Sequence, residues 1–279
     1  MANLFSGLEA FGLNLKGMNI YDEKEKEVEG KASVDEKPSF SEEDAIFDKT
    51  FTCPVCDKEF KSKIVKSGKV KLLNLDADLR PVYQYMDPLK YDAIVCPHCG
   101  FAALNRFFKY VTNAQAGLIK ANISASFRGL QEAGSIFTYD DALARHKLSL
   151  VNSIVKKSKT SERAYTCLKT AWILRGKAET LPKDTPDYKK KMEEMEQEEL
   201  DFIEKAYMGF DEAFSKETFP MCGMDEVTMT LLMAELARKS KKYDEASRWV
   251  SRVLISKEAN ERIKQKARDI KELIKDSKS

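Results

Sequence analysis

The chain has 279 residues, of which 43% are hydrophobic and 33% charged, and its formal net charge is +2. This balance excludes a fully disordered chain, and no run approaches the roughly 18 apolar residues that a membrane-spanning helix needs. The length suits one large domain or two ordinary ones. The charge is unevenly distributed, because residues 1–50 contain six lysines against twelve acidic residues. An acidic leader therefore precedes a mildly basic body.

The first 49 residues differ in composition from the rest of the chain. Residues 21–45 contain almost no large apolar residue and show no sustained periodicity, which is typical of disorder. Upstream, Leu4, Leu8 and Phe11 would share one face of a short helix, although isolated helices of this length are marginal in water. We interpret residues 1–49 as an acidic, largely disordered leader. Its start lacks the basic and apolar regions of a secretory signal, so the expected location is cytoplasmic.

Residues 50–103 contain two Cys-x-x-Cys pairs and several strand-like runs. β-branched and aromatic residues concentrate at 63–65, 70–73 and 91–95, and turn signals separate these runs. Paired cysteines in a chain without an export signal favour a metal over disulfide bonds. We therefore predict a zinc-ribbon-like module with small strands around a metal.

The two cysteine pairs, CPVC at 53–56 and CPHCG at 96–100, predict the metal ligands. A Cys-x-x-Cys turn places two thiolates on one side of a loop, and two such knuckles complete a tetrahedral site. Proline after the first cysteine stiffens each turn. The predicted ligands of one structural zinc ion are Cys53, Cys56, Cys96 and Cys99. Four thiolates leave no open position for water, so hydrolytic chemistry at this zinc is not expected.

The local sequence also predicts the surroundings of the metal. Gly100 and Asp57 occupy equivalent positions after the two knuckles, where a positive φ turns backbone N–H groups toward sulfur. Phe60 and Phe101 are expected to cover the site with apolar surface. The alternatives to zinc are a disulfide pair, a redox dithiol, and an iron centre, which four thiolates also permit.

The remaining histidines and cysteines are weaker candidates for chemistry. His98 lies between two ligands, and the turn is expected to point it toward solvent. His146 is expected to pack at the edge of a helix rather than to act in catalysis. Cys167 and Cys222 are interpreted as small buried hydrophobic residues rather than nucleophiles.

From residue 104 onward apolar residues recur at helical spacing, so residues 104–277 are predicted to form a helical domain. In the first long helix, the residues that recur at helical spacing are Leu143, Leu150, Val151 and Ile154. The predicted helices span 139–157, a segment from the N-cap Ser161 through Arg175, 186–214, 225–240, 243–256, and a final segment through Ile274.

Several of these motifs together resemble a bacterial family of unassigned role, domain-of-unknown-function family 2225. The resemblance covers about residues 50–255 and implies a cytoplasmic bacterial protein with zinc-ribbon-like cysteines and a helical remainder. It implies no activity. The motifs are TCPVCDKEF at 52–60, SGKVKL at 67–72, Asp76-Ala77-Asp78, Pro88-Leu89-Lys90-Tyr91-Asp92, and VCPHCGFAAL at 95–104.

A second, local resemblance concerns residues 231–253, which look like one tetratricopeptide repeat. Ala234 and Ala246 are small enough to let two paired helices approach, and Tyr243 is expected to begin the second helix. The predicted fold is therefore mainly α: a small β-containing four-cysteine zinc module followed by antiparallel, tetratricopeptide-like helix pairs. A generic helical bundle is the alternative.

The sequence favours a non-enzymatic, zinc-stabilised scaffold or adaptor that binds a protein or peptide on its helical surface and does not act at a membrane. No glycine-rich phosphate loop, GxSxG or HExxH motif is present in the sequence. One alternative is an enzyme that uses an unidentified helical cleft. A second alternative is a nucleic-acid-binding zinc-ribbon protein, whose contacts would come from Lys58, Lys61, Lys63, Lys66, Lys69 and Lys71. Arg106, Phe107, Phe108 and Tyr110 would add stacking in that case.

Overall fold

A computed structural model of the protein describes residues 40–130 and 134–278. The predicted helix face of Leu4, Leu8 and Phe11 lies outside the described residues, as does most of the predicted leader. The described chain from residue 40 onward belongs to one compact unit. The division into leader, zinc module and helical domain stays a prediction.

Six short strands pair into three antiparallel hairpins in the described part of the chain. The sequence indicated runs that overlap the second, third and fifth strands but not their partners. The first strand also begins inside the predicted leader of residues 1–49. The strands are β1 (Ile46–Thr52), β2 (Glu59–Val65), β3 (Leu72–Leu75), β4 (Pro81–Tyr83), β5 (Ala93–Val95) and β6 (Ala102–Leu104).

Helices account for most of the remaining described residues, so the prediction of a mainly α protein is confirmed. A short 3₁₀ helix, Pro88–Tyr91, precedes β5, and a π-helical turn, Lys120–Ser124, extends the first α-helix. Among the described residues the α-helices are α1 (Asn113–Ile119), α2 (Tyr139–Val155), α3 (Thr160–Glu179), α4 (Tyr188–Lys216), α5 (Glu226–Lys239), α6 (Tyr243–Ile255) and α7 (Glu261–Lys278).

The helical core is built around α3, which packs between α2 and α4. Helices α5 and α6 form a hairpin, in which Ala234 and Ala246 are fully buried. The second helix of this pair begins at Tyr243, as the sequence predicted. Small side chains let two helix axes approach closely, which explains why alanines occupy this contact.

The C-terminal half of the buried face of α2 is polar, which the sequence did not predict. Val151 and Ile154 belong to the apolar residues at helical spacing, but they are 46% and 54% exposed. Ser149, Asn152 and Ser153 are buried instead, because α2 packs against the β5–β6 hairpin. Their side chains donate hydrogen bonds to backbone carbonyl groups, which offsets the cost of burying polar atoms.

The start of α3 also differs from the prediction. Ser161 was expected to be the N-cap, but it lies in the first turn of the helix. Its backbone N–H donates to Glu217 Oε1 at 3.0 Å, and its hydroxyl donates to Glu217 Oε2 at 2.5 Å. The Glu217 carboxylate, at the end of α4, therefore satisfies donors at the N-terminus of α3.

The turn between β3 and β4 inserts a buried carboxylate into the helical core. Asp78 is fully buried, and Arg175 on α3 donates to both of its oxygens, at 3.0 Å and 2.5 Å. The indole N–H of Trp172 donates to the same carboxylate at 3.2 Å. Arg80 extends the network to α3 through a two-bond contact with Glu179. These contacts anchor the long segment between the two cysteine pairs onto the helices.

Burial alone would raise the pKa of Asp78, but the hydrogen bonds and charge of Arg175 outweigh it and hold that pKa below its usual value. Asp78 is therefore ionised in the folded protein at neutral pH. Its charge is compensated by Arg175 and other protein groups rather than by solvent. Removal of Arg175 is therefore expected to lower the free energy of unfolding by a large amount.

Candidate metal centre

The four cysteines lie in two β-turns that follow the same design. Cys53 and Cys56 lie in the turn between β1 and β2, closed by the pair Thr52 and Glu59. Cys96 and Cys99 lie in the turn between β5 and β6, closed by Val95 and Ala102. We refer to these two hairpins together as the cysteine module.

The backbone of both turns has the conformation that the sequence predicted. Asp57 has a φ of 59° and Gly100 a φ of 73°. The N–H of Asp57 donates to the Cys53 carbonyl at 2.9 Å, and the N–H of Gly100 donates to the Cys96 carbonyl at 3.0 Å. In addition, the N–H of Val55 points at Cys53 Sγ, 3.4 Å away. The turns are thus shaped around sulfur atoms.

The four sulfur atoms converge on one point. All four lie within 4.8 Å of one another, with Cys53 and Cys99 separated by 3.6 Å and Cys56 and Cys96 by 3.7 Å. Ligands about 2.3 Å from a tetrahedral zinc ion are separated by about 3.8 Å, which matches these distances. A disulfide would need about 2.05 Å between sulfurs. The donor set therefore fits a tetrahedral metal and not a disulfide pair.

Electrostatics within the cluster also favour a cation. The hydrogen bond with Cys53 holds the pKa of Cys96 well below its usual range, while the contact with Cys96 raises the pKa of Cys53. One thiolate is thus stabilised by neighbouring S–H groups, and further deprotonation places like charges side by side. A divalent cation at the centre would remove that repulsion and allow all four sulfurs to ionise.

Aromatic side chains surround the cluster. Phe60 and Phe101 belong to the same buried group as the cysteines, as the sequence predicted. Phe51 and Phe108 complete this group, and the Phe101 and Phe108 rings are 5.0 Å apart. Three of the four cysteines are buried and Cys56 is half-buried, so the shell limits the access of water to the sulfurs and strengthens their electrostatic interactions.

The cysteine module is fastened to the helices through α2. The side-chain amide of Asn152 donates to the Gly100 carbonyl at 3.0 Å, directly behind the second turn. Lys156 is almost fully buried nearby, 2.7 Å from Glu162 Oε1 and 6.0 Å from the centroid of the Phe101 ring. Loss of the metal is therefore expected to disturb the packing of α2 as well as the turns.

Gly100→Ala is expected to destabilise the protein by about 1–3 kcal/mol and to weaken metal retention. A Cβ at this position would combine a positive φ with a contact of 2.6 Å to the Phe127 ring. The measurements are denaturant unfolding and metal content after dialysis.

Two other glycines separate the causes of this effect. Gly68 has a φ of 75° but open space around its Cβ position, so Gly68→Ala tests backbone strain alone. Gly117 lies in α1 with neither constraint, so Gly117→Ala should be neutral or slightly stabilising. Equal effects at the three positions would contradict the structural reading of Gly100.

His98, Cys167 and Cys222 lie apart from the sulfur cluster. The imidazole of His98 is exposed, as predicted, with Nε2 3.3 Å from the Glu59 carbonyl oxygen. Cys167 is buried within α3, as the sequence indicated. Cys222 is half-buried, and its thiol donates to the Ser161 carbonyl at 3.4 Å. Burial raises the pKa of both thiols, which makes them poor nucleophiles.

His146 is fully buried rather than placed at the edge of its helix, which corrects the prediction. Its Nδ1 is 2.7 Å from the Ala142 carbonyl oxygen, while Nε2 has no hydrogen-bond partner among the described residues. Burial lowers the pKa of this imidazole to about 4. The charged groups that act on it are Asp92, which favours protonation, and Lys169 and Arg145, which oppose it.

Acid is therefore expected to destabilise the fold through His146. The pKa in the folded chain is below the ordinary value of 6.5, so below pH 6.5 the unfolded chain binds a proton that the folded chain does not. Between pH 7 and pH 5 this linkage should remove about 2 kcal/mol of stability. Unfolding curves at a series of pH values for the wild type and His146→Asn measure it. The variant should show a flatter dependence between these pH values.

His98→Asn is the matched control, because His98 and His146 are the two histidines of the chain. It should leave the pH dependence unchanged, since the imidazole of His98 is exposed. An unchanged slope in His146→Asn, or a flattened slope in His98→Asn, would contradict the assignment.

Two of the six lysines considered for nucleic-acid binding, Lys63 and Lys66, have partners within the protein. Lys61 and Lys63 alternate along β2 with the buried side chains of Phe60 and Ser62, which is the pattern of a solvated strand face. Lys63 lies 3.6 Å from Asp48, and Lys66 donates to the Asp44 carbonyl. Lys58, Lys69 and Lys71 are exposed.

The aromatic residues after the second turn are also mostly unavailable for stacking on bases. Phe108 is buried against the cysteine module. Phe107 packs edge-on against Tyr165, with ring centroids 6.4 Å apart. Tyr110 is 76% exposed. Of the three aromatic residues singled out in the sequence, Tyr110 is therefore the one whose ring is largely exposed to solvent.

The segment Pro88–Asp92 joins the cysteine module to α2 and α3, a role that sequence reasoning missed. Tyr91 is buried, and its hydroxyl donates to Glu42 and accepts from the N–H of Phe137. Asp92 lies 3.1 Å from the ammonium group of Lys169 on α3. The turn signal at Asp87-Pro88 was visible, but the distant partners of these side chains were not.

Fold and site together define the class of protein: mainly α-helical, with four cysteines on two β-hairpins that could hold one metal ion. A family model described as "Uncharacterized protein conserved in bacteria (DUF2225)" matches residues 46–274, so the chain belongs to this family. This confirms the resemblance seen in the sequence. Neither a curated protein nor a solved structure matches the chain. Within the described residues, no helix combines the length and apolar character needed to cross a membrane.

Proposed function

We propose that this chain is a non-enzymatic scaffold or adaptor, stabilised by one structural zinc ion, that binds another protein through its helices. The pathway is unassigned. The observation that carries the proposal is a surface on α4 and α6 formed by aromatic and arginine side chains. We call it the aromatic–arginine surface and define it by Phe214, Arg248, Trp249 and Arg252, together with the buried Tyr207 that is hydrogen-bonded to Trp249.

The aromatic–arginine surface has the composition of a binding hot spot. Arg252 lies 4.9 Å from the ring centroids of both Phe214 and Trp249, and Trp249 donates to the Tyr207 hydroxyl at 3.2 Å. A cavity of about 380 Å³ opens beside these residues. Tryptophan, tyrosine and arginine are the residues most enriched where binding energy concentrates in protein interfaces.

Exposed apolar side chains continue this surface along both helices. Met208 is half-exposed and lies one turn before Asp211, which lines the cavity. Ile255 follows Arg252 by three residues and is 80% exposed. Large apolar side chains in solvent beside aromatic anchors favour a partner that covers them.

The α5–α6 hairpin supports a tetratricopeptide-like arrangement for this part of the chain. Its fully buried alanines, Ala234 and Ala246, lie where such a repeat needs small residues. Stacked helix pairs of this kind characteristically present extended surfaces to peptides and proteins.

Zinc is the metal we propose for the cysteine module. Four cysteine sulfurs at tetrahedral spacing form the closed coordination shell of structural zinc sites. Iron accepts the same ligands, so metal analysis decides between the two. None of the six cysteines forms a disulfide in the structure, which supports a reducing cytoplasm as the compartment.

Two further observations support a role without catalysis. The imidazole of His146 is fully buried and has a pKa of about 4. Burial raises the pKa of Cys222 to about 12. Side chains that often act as base or nucleophile are thus kept neutral here.

The test is affinity purification of the tagged protein from its native cytoplasm, with and without nuclease, using two charge-reversal variants. Arg248→Glu changes an exposed residue of the aromatic–arginine surface, and Lys61→Glu changes an exposed residue of β2. The proposal predicts specific proteins that survive nuclease, are lost with Arg248→Glu and are retained with Lys61→Glu. Ile255→Asp should reproduce the loss.

The opposite pattern would support the nucleic-acid reading. In that case retention collapses with nuclease and with Lys61→Glu, binding weakens steeply with salt, and Arg248→Glu has no effect. That outcome would contradict the scaffold proposal.

A further inference from the structure

A second cavity, distinct from the aromatic–arginine surface, lies where the segment after β6 meets α3 and the segment between α4 and α5. Its volume is about 430 Å³, within the range of small-molecule and peptide side-chain sites. Phe107, Pro220 and Met221 supply apolar walls, and the exposed Tyr110 and Thr218 mark its opening to solvent. We call it the junction cavity.

The acidic side chains of the junction cavity already have partners. Glu162 lies 2.7 Å from the buried ammonium group of Lys156. Glu217 accepts hydrogen bonds from the backbone and hydroxyl of Ser161. Both carboxylates are therefore committed to groups of the protein itself.

The cationic side chains of the cavity form no salt bridge with a described residue, although the charge of Arg106 helps to lower the pKa of Asp92. Within the described residues, neither Arg106 nor Lys159 lies within 4 Å of a carboxylate oxygen. The Arg106 guanidinium rests over the rings of Phe107 and Tyr165, at 5.6 Å and 5.3 Å, and donates to the Cys222 carbonyl. This packing fixes its position, while most of its five donors stay available for a ligand. Lys156 neutralises Glu162, and Ser161 carries no charge, so two cations stand against one carboxylate, Glu217, and the net charge of the cavity is positive.

We propose that the junction cavity binds a carboxylate carried on an apolar or aromatic group. The apolar group would pack against Phe107, Pro220 and Met221, and the carboxylate would meet Arg106 and Lys159. The C-terminal residue of a peptide and a small aromatic or aliphatic acid share this chemistry. The proposal is independent of the aromatic–arginine surface, and either site can fail its test without the other.

The test uses two probes, 3-phenylpropanoate and an acetylated hexapeptide that ends in a free phenylalanine carboxylate. Each is titrated into full-length protein labelled with ¹³C at its methionine methyl groups. The Met221 methyl signal should move, because Met221 lines the cavity, and the Met208 signal on α4 should not. The same hexapeptide with a C-terminal amide removes the carboxylate and should bind at least about tenfold more weakly.

Two variants test the two halves of the site without altering the core. Lys159→Gln changes an exposed residue and should weaken the peptide about tenfold. Thr218→Trp, at the exposed rim, should fill the cavity and abolish the Met221 shift. Lys190→Gln, an exposed lysine near the start of α4, is the matched control and should change nothing.

Two binding results would support the proposal and distinguish the sources. A peptide that binds at least about tenfold more tightly than 3-phenylpropanoate indicates a chain terminus, and equal affinities indicate a small acid. Two results would overturn it. One is no Met221 shift with either probe at about 5 mM, and the other is binding that amidation and Lys159→Gln leave unchanged.

Discussion

Cys96→Ser is expected to abolish metal binding and to lower the midpoint of thermal unfolding by about 10 °C or more. A serine hydroxyl is a poor ligand for a soft tetrahedral metal site, and three sulfurs cannot close the coordination shell. Because a metal that binds only the folded turns contributes its binding energy to folding, its loss costs several kcal/mol. The effect should spread to α2, whose Asn152 bonds to the turn that contains Cys96. Metal content and thermal unfolding measure both consequences.

Cys167→Ala is the matched control for this substitution. It also removes a buried cysteine, but one that lies within α3 and outside the sulfur cluster. It should retain full metal content and lose about 1 kcal/mol from the smaller side chain. A Cys96→Ser protein with unchanged metal content and unchanged thermal midpoint would contradict the assignment of the site.

Arg175→Met is expected to destabilise the protein by about 3–5 kcal/mol at neutral pH. Arg175 donates to both oxygens of Asp78, and methionine would leave this fully buried carboxylate with Lys239 at 3.7 Å as its nearest cation. Arg175 holds the pKa of Asp78 below its ordinary value. The pair therefore stabilises the fold fully at pH values above the ordinary pKa of an aspartate. This stabilisation is lost as the pH falls through the pKa that Asp78 has in the folded protein. Without Arg175 the deficit should be largest at neutral pH and shrink in acid.

The double variant Asp78→Asn with Arg175→Met tests this cause by denaturant unfolding. The single variant leaves the buried Asp78 carboxylate without its main partner, whereas the double variant removes that charge. The double variant should therefore be more stable than Arg175→Met alone. Arg268→Met removes an arginine from an exposed ion pair on α7 and should cost little. If the single and double variants were equally unstable, packing rather than the unpaired charge would be the cause.

The four-cysteine cluster could be predicted from sequence because its information is local. Each Cys-x-x-Cys turn carries its own proline and positive-φ position, and Asp57 and Gly100 adopt that conformation as expected. The long helices were equally accessible, since a 3.6-residue period is visible in a single sequence. The helix starting at Tyr243 is an example.

The errors arose where polar groups are buried. On α2 the apolar periodicity includes Val151 and Ile154, which are exposed, whereas the C-terminal half of the helix buries Ser149, Asn152 and Ser153. Hydrophobic periodicity does not identify the buried residues there, because hydrogen bonds to backbone carbonyls offset the free-energy cost of burying polar side chains.

Contacts between distant parts of the chain also could not be predicted from the sequence. Asp78 and Arg175 are 97 residues apart, and nothing in one sequence connects them. The acidic segment at 76–78 was noticed as part of a family motif, but its role as an anchor needed the fold. The same holds for the cations Arg106 and Lys159, which lie on two of the three separate segments that line one cavity.

Elemental analysis of the protein, purified under reducing conditions without added metal, tests the zinc assignment. We expect about one equivalent of zinc per chain. A chelator added under denaturing conditions should release this zinc, and the metal-free chain should no longer unfold cooperatively. Free thiols should become titratable at the four cluster cysteines on release. Protein that folds with no bound metal, or that carries iron in place of zinc, would contradict the zinc assignment.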